Sequence, residues 1–187
     1  MIVHICGMPG VGKFTIAKHL KMLMSARLID NHLFVDLAES VCGRDEDYIP
    51  FLKDITALSF SRLAARKKDG CIIFTNALAA ELPEDVERLE TVRLLAESMG
   101  LPFIPVLITC AQDENSKRLV AEDRSIKGKL RNPDVLGDIL SKYTPAHNPH
   151  HPNAFTLDTT NLDARTAAKL IADHCAKCTL SKGATLT

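Results

Sequence analysis

Short apolar runs alternate along this chain with longer stretches whose apolar residues recur every three or four positions. The runs at 2–6, 27–30, 71–75, 103–109 and 154–157 predict five strands. The run at 71–75 is apolar through Ile72, Ile73 and Phe74, the pattern of a strand covered on both faces. The longer period predicts helices over 14–24, 33–41, 50–68, 84–99, 113–124, 133–143 and 160–178. Leu52, Ile55, Ser59 and Leu63 form the stripe of the third, with Gly70 suited to its stop. Val86, Leu89, Val92, Ala96 and Met99 share a face of the fourth, which Gly100 and Pro102 end. Asn132-Pro133 reads as an N-cap followed by Pro at the first helical position, and Thr160-Asn161-Leu162-Asp163 as a capping box.

Strands alternating with helices predict an α/β fold with a mainly parallel sheet. Ligands of such sheets sit beyond the C-terminal ends of the strands. Chemistry is therefore expected after Cys6, Asp30, Thr75, Thr109 and Leu157.

Composition narrows the classes. The 187 residues suit one domain, over 1–180, with a small polar tail over 181–187 that should fray. With 46% hydrophobic and 25% charged residues, wholesale disorder is excluded. Lys plus Arg equals Asp plus Glu at 23 each, so a nucleic-acid partner has no basic excess to meet it. No apolar run approaches the ~20 residues of a membrane span, and no membrane partner is expected. The N-terminus lacks the cationic lead of a signal peptide, so the six cysteines read as reduced thiols and the expected compartment is the cytoplasm. No pattern specifies an oligomeric state.

The strongest motif is Gly7-Met8-Pro9-Gly10-Val11-Gly12-Lys13, a G-x-x-x-x-G-K loop between a strand and a helix. Its glycines let backbone N–H groups turn inward around phosphate oxygens, and the helix N-terminus adds partial positive charge. Lys13 is placed to reach the β- and γ-phosphates. One position departs from the motif: Phe14 stands where Ser or Thr would touch magnesium, and Thr15 comes one place later, about 100° round the helix.

Gly-x-Pro-Gly-x-Gly-Lys-x-Thr, as it stands at residues 7–15, resembles the phosphate loop of the small P-loop kinases, such as adenylate, shikimate and gluconate kinases. Adenylate kinases likewise place Thr one residue late. The resemblance implies a three-layer α/β/α fold around a five-stranded parallel sheet. It also implies ATP with Mg²⁺, and γ-phosphoryl transfer to a small-molecule acceptor. Gly7, Pro9, Gly10, Val11, Gly12, Lys13, Phe14 and Thr15 would then hold the nucleotide.

Other residues gain meaning beside that loop. In the shikimate kinase-like group the place of Asp30-Asn31-His32 often carries Asp-x-Asp, one acid for a magnesium-bound water and one for the acceptor hydroxyl. Asp30 matches the first; His32 replaces the second. Asp36, one helical turn beyond His32, offers a carboxylate that could accept the acceptor's proton. The competing readings are a turn residue for Asp30, an N-cap for Asn31 and a solvated charge for Asp36. After the third strand, where many P-loop proteins carry a magnesium-holding acid, this chain has Thr75-Asn76, and Asn76 is a candidate for holding a water or the acceptor. The basic stretch Arg118, Arg124, Lys127, Lys129, Arg131 lies where the resemblance implies a lid, over 118–133. Arg118 would sit near the adenine, with Arg124 and Arg131 as phosphate clamps. The alternative is a solvated helix with a Glu114–Arg118 pair.

Two features are set aside. His147, His150 and His151 lie in a Pro-rich loop without zinc-site spacing; this loop is read as structural or exposed, with proximity to a nucleotide base left open. Cys175 and Cys178 share a helix face near a C-terminus, which suits packing rather than redox chemistry; Cys6, Cys71 and Cys110 read as small buried hydrophobes. Three functions remain: a small-molecule kinase, a nucleoside or nucleotide kinase using Arg62, Arg66, Lys67 and Lys68, and a nucleotide-binding switch or scaffold without turnover. The chain has no Asn-Lys-x-Asp guanine motif.

Overall fold

The computed structural model describes residues 1–66, 70–120 and 132–183, with side chains to 180. Five parallel strands, β1 (Ile2–Cys6), β2 (Arg27–Asp30), β3 (Ile72–Asn76), β4 (Phe103–Thr109) and β5 (Phe155–Asp158), form one sheet in the order β2-β3-β1-β4-β5. Among the described residues the helices are α1 (Lys13–Leu23), α2 (His32–Cys42), α3 (Tyr48–Ala64), α4 (Pro83–Ser98), α5 (Gln112–Leu119), α6 (Pro133–Lys142) and α7 (Ala164–Gly183).

Strand alternation divides the core into two layers. Val3, Ile5, Ile104 and Val106 pack under α1 and α7 with Leu20, Ala167 and Ile171. Ile2, Ile72, Phe74 and Phe103 face the other way, onto Phe60 and Leu63 of α3 and Val92, Leu95 and Ala96 of α4. This is the three-layer α/β/α arrangement, with the central strand β1 buried along its whole length.

Helix ends follow local chemistry. Pro83 opens α4, with Glu84 and Asp85 in the first turn. The helix stops where Gly100 adopts φ 65° and the Leu101 and Gly100 amides donate to the carbonyls of Ala96 and Glu97, both at 2.9 Å. The Asn132 side chain caps α6 by accepting from the Asp134 amide.

Several expectations are corrected. Asp163, not Thr160, caps α7: its carboxylate accepts from the Thr166 amide at 2.8 Å and hydroxyl at 3.0 Å. The Thr160 hydroxyl instead donates to Asp158 and accepts from the Ala111 amide. A carboxylate three residues nearer the helix outcompetes it. The helix then continues to Gly183 rather than ending near Cys178, through part of the expected tail. α3 ends at Ala64, with Lys67 and Lys68 outside the described residues, and its buried side is Tyr48, Leu52, Phe60 and Leu63. On α4, Val86 is exposed and Asp85 is buried in its stead, because the Asp85 carboxylate accepts the Ala79 amide at 2.9 Å. Cys6, Cys175 and Cys178 are buried, but Cys71 and Cys110 are only half-buried; all six cysteines are free.

Candidate active site

The loop after β1 turns through residues 7–12 into α1. Gly12 is the helix N-cap with φ 92°. Gly10 has φ 93°, and a Cβ there would collide with the side-chain oxygen of Asn115 on α5. Only glycine meets both conditions. The Lys13 ammonium curls back over the loop, donating to the carbonyls of Gly7 at 2.7 Å and Met8 at 2.9 Å. Phe14 is half-buried, with the Lys18 ammonium 5.3 Å above its ring, and Thr15 is half-buried beside it.

At the end of β2, Asp30 is buried. Its Oδ1 accepts the Thr75 hydroxyl at 2.6 Å, and its Oδ2 is buried without a partner. Thr75 is in register with both Asp30 and Ile5, so Asp30 faces the α1 side of the sheet, the side on which the loop enters its helix.

On the opposite face a polar ladder runs through the apolar layer. His4 Nε2 lies 3.0 Å from Asn76 Oδ1, and Asn76 Nδ2 donates to Asn31 Oδ1 at 2.9 Å. With the Asn76 oxygen so assigned, His4 carries its proton on Nε2. His4 is fully buried, and desolvation lowers its pKa to about 4, against the raising effect of the Asn76 bond. Asn31 holds the N-cap position of α2 but makes no side-chain cap; its oxygen is committed to Asn76. In the next residue, His32, Nδ1 lies 3.1 Å from Oδ1 of Asp36 one turn on, and both side chains are solvent-accessible.

Between that face and helices α2, α3 and α4 lies a cavity of about 200 Å³. Ile29 and Phe74 form its floor, and Phe34, Leu52, Phe60 and Val92 its apolar walls. Asn31 and Asn76 line it at the strand ends, and Asn76 is in register with Cys6, the residue before Gly7. Phosphate loop and cavity therefore begin side by side.

No family model matches the sequence, and no curated protein does. Solved structures do match. A gluconokinase from Sinorhizobium meliloti superimposes with TM-score 0.63 at 14% identity, covering 99% of this chain and 97% of that one. Shikimate kinase from Acinetobacter baumannii, in complex with shikimate, gives 0.57 at 18% identity, covering 94% and 93%. The APS kinase of Mycobacterium tuberculosis, in complex with AMPPNP and APS, gives 0.57 at 16% identity, covering 94% and 96%. The chain has the small P-loop kinase fold.

Within this P-loop kinase fold Arg118 forms the expected pair with Glu114 and also reaches beyond its own helix. Nε pairs with Glu114 at 2.8 Å, while Nη1 donates to the Thr159 hydroxyl at 3.0 Å and Nη2 to the Thr159 carbonyl at 2.6 Å. Nη1 also lies 3.4 Å from the Val11 carbonyl, so one guanidinium joins the phosphate loop to the turn after β5. Arg124 and Arg131, with Lys127 and Lys129, lie outside the described residues.

The structure brings together the loop residues, Asp30, Asn76 and Arg118 at the strand ends. His32 and Asp36 lie on the first two turns of α2, at its outer surface, and do not line the cavity. Arg62 and Arg66 are exposed and also outside the cavity lining. The histidine loop runs from the strand ends, where Ala146 packs on Cys6 and Leu78, back along the sheet. His151 rests edge-on against Phe103 at the start of β4, and the segment before it is joined to residues 78–81. Glu81 anchors that segment, accepting the Thr144 amide at 3.0 Å and hydroxyl at 2.8 Å, bonds that lower its pKa. Among the described residues no group of three His, Cys, Asp or Glu is placed to hold a metal.

Sequence reasoning missed His4, Asn115 and the cavity wall of α3 and α4. The signal for His4 was a lone polar residue inside the apolar strand β1; for Asn115 it was a polar residue one helical turn before Leu119 on the buried side of α5.

Proposed function

We propose that this chain is an ATP-dependent kinase that transfers the γ-phosphoryl group to a hydroxyl of a small, unphosphorylated acceptor. The observation that carries the reading is the register of Cys6 with Asn76, which sets the mouth of the cavity beside the phosphate loop. In this reading residues 7–15 cradle the phosphates, and the Lys13 ammonium leaves the Gly7 and Met8 carbonyls for the β- and γ-phosphate oxygens. Arg118 borders the adenine; Arg124 and Arg131 clamp the phosphates from a lid over 118–133.

The buried, unpartnered Oδ2 of Asp30 suits a magnesium ion held through water, since magnesium keeps several waters and needs few protein ligands. When bound, magnesium supplies neutralisation of the phosphate charge. Asn76 and Asn31 orient the acceptor. The His32–Asp36 pair, outside the cavity lining but next to Asn31, takes the proton of a hydroxyl that projects from the cavity: with Asp36 accepting from Nδ1–H, His32 Nε2 keeps a lone pair for it. The acceptor oxygen forms its bond to the γ-phosphorus as the bond to the β,γ-bridging oxygen breaks, and ADP leaves. The free cysteines suit a reducing, cytoplasmic setting.

The test is ADP release from Mg-ATP with pools of sugars, sugar acids, nucleosides, nucleoside monophosphates and other alcohols, with Lys13→Ala as control. Release that depends on one pool and disappears in the control supports the kinase. A second reading, a nucleotide-binding switch without transfer, draws on Phe14 in place of a hydroxyl and on Asn76 in place of an acid after β3. ATP binding with flat background in every pool would favour it.

A further inference from the structure

We infer that the acceptor is a compact alcohol with an apolar, single-ring body and no phosphate. This rests on the kinase reading for the chemistry, but on the cavity alone for the chemical class.

Size sets the first limit. A dry apolar cavity of about 150 Å³ accepts benzene, whereas pockets for drug-sized ligands begin near about 300 Å³. The about 200 Å³ here fits one ring with a short side chain. Shape sets the second. Phe60 meets Phe34 at 78° and Phe74 at 63°, so the lining offers ring edges and faces together. An aromatic guest finds offset and edge-on contacts in such a lining.

Size and polar placement together weigh against the alternatives. The Thr56 and Thr91 hydroxyls donate to their own helix carbonyls, at Leu52 (2.7 Å) and Glu87 (2.8 Å). Lys53 faces Glu87 at 3.0 Å, and Arg88 faces Asp85 at 3.4 Å, so both cations of the lining already meet carboxylates. Asn76 is committed to His4 and Asn31. A sugar or sugar acid would lay several of its hydroxyls against the apolar floor and walls, and each unmet group is costly. A nucleoside monophosphate, with a base, a ribose and a phosphate, is too large for about 200 Å³. One hydroxyl, however, can be served at the strand ends by the Asn31 amide N–H groups, beside the phosphate loop.

The test uses the full chain and a panel of 2-phenylethanol, 1-phenylpropane-1,3-diol, gluconate, shikimate, adenosine and adenosine monophosphate. Binding is measured by calorimetry without nucleotide, and ADP release with Mg-ATP. The phenyl alcohols should bind saturably, and Ala57→Trp, which fills the cavity from an accessible position of its rim, should weaken them about tenfold or more. Phe34→Ala should shift preference towards the bulkier diol. Binding of the phenyl alcohols that is lost in Ala57→Trp, but without ADP release, would uphold the ligand class of the cavity and count against the kinase reading. Failure of both phenyl alcohols to bind the folded protein, or saturable turnover of gluconate, shikimate or adenosine monophosphate, would overturn the inference.

Discussion

His4 Nε2 stands 3.0 Å from Asn76 Oδ1, in the middle of the central strand and fully buried. The imidazole is held neutral there, since its pKa is lowered to about 4 by burial. The unfolded chain takes up this proton near its ordinary pKa of about 6.5. Between those values the unfolded state binds more protons, so stability rises with pH and is lost as pH falls from 6.5 towards 4. The loss attributable to His4 is about 3 kcal/mol. His147, lowered by burial as well, acts in the same direction. Urea titrations across this range should show a shallower pH dependence in His4→Gln; an unchanged slope would count against a neutral buried His4.

Gly10→Ala should disable the loop. It places a Cβ against Asn115 and forces alanine to φ 93°. ATP affinity should fall about tenfold or more, or about 1.4 kcal/mol, measured by calorimetry. Retention of wild-type affinity would show that the loop relaxes freely.

Arg118→Ala removes donors to the Thr159 carbonyl and hydroxyl, and Thr159 is buried. Leaving such groups unmet costs about 1–3 kcal/mol. Thermal unfolding should shift down accordingly, and ATP should bind more weakly because the Val11 end of the loop loses its tether. Arg118→Lys should recover only part, since an ammonium lacks the planar fork.

Asp36→Asn should lower turnover about 10²-fold or more while ATP affinity stays within twofold, as loss of proton acceptance predicts. Both members of the pair are accessible, so the fold should tolerate the change. Equal turnover in the variant would remove Asp36 and its hold on His32 from the chemistry.

Asp163→Ala tests the reassigned cap. Loss of the bonds to Thr166 should cost about 1 kcal/mol, while Thr160→Ala should act through the turn after β5 instead. Denaturant midpoints of the two variants, alone and combined, separate the roles.

Period and punctuation made most of the fold legible. The strand runs, the loop at 7–13 and the Gly100 stop each carry a local cause that survives in the folded chain. The site was legible where one strand end or one loop holds it, as for Lys13 and Asp30. It was not legible where several elements converge. Asp85 is buried because a distant amide, that of Ala79, needs an acceptor, and no helical period encodes that demand. Thr160 and Asp163 both carry cap chemistry; Asp163 stands nearer the helix, and the Ala111 amide and Asp158 take up the Thr160 hydroxyl. The cavity required Phe34, Phe60 and Phe74 from three elements to meet, a matter of packing distance rather than spacing.

The Arg118 guanidinium, anchored to the Val11 carbonyl and to Thr159, ties the loop after the central strand to the turn after the edge strand β5. The cavity wall belongs to other helices, α2, α3 and α4, and Arg118 is not part of its lining. The two halves can therefore diverge at different rates. Replacement of Phe34, Ala57 or Val92 would change what is accepted while the machinery that holds the phosphates stays intact. Under the proposed kinase reading the chain is modular, with a fixed donor side and an exchangeable acceptor side.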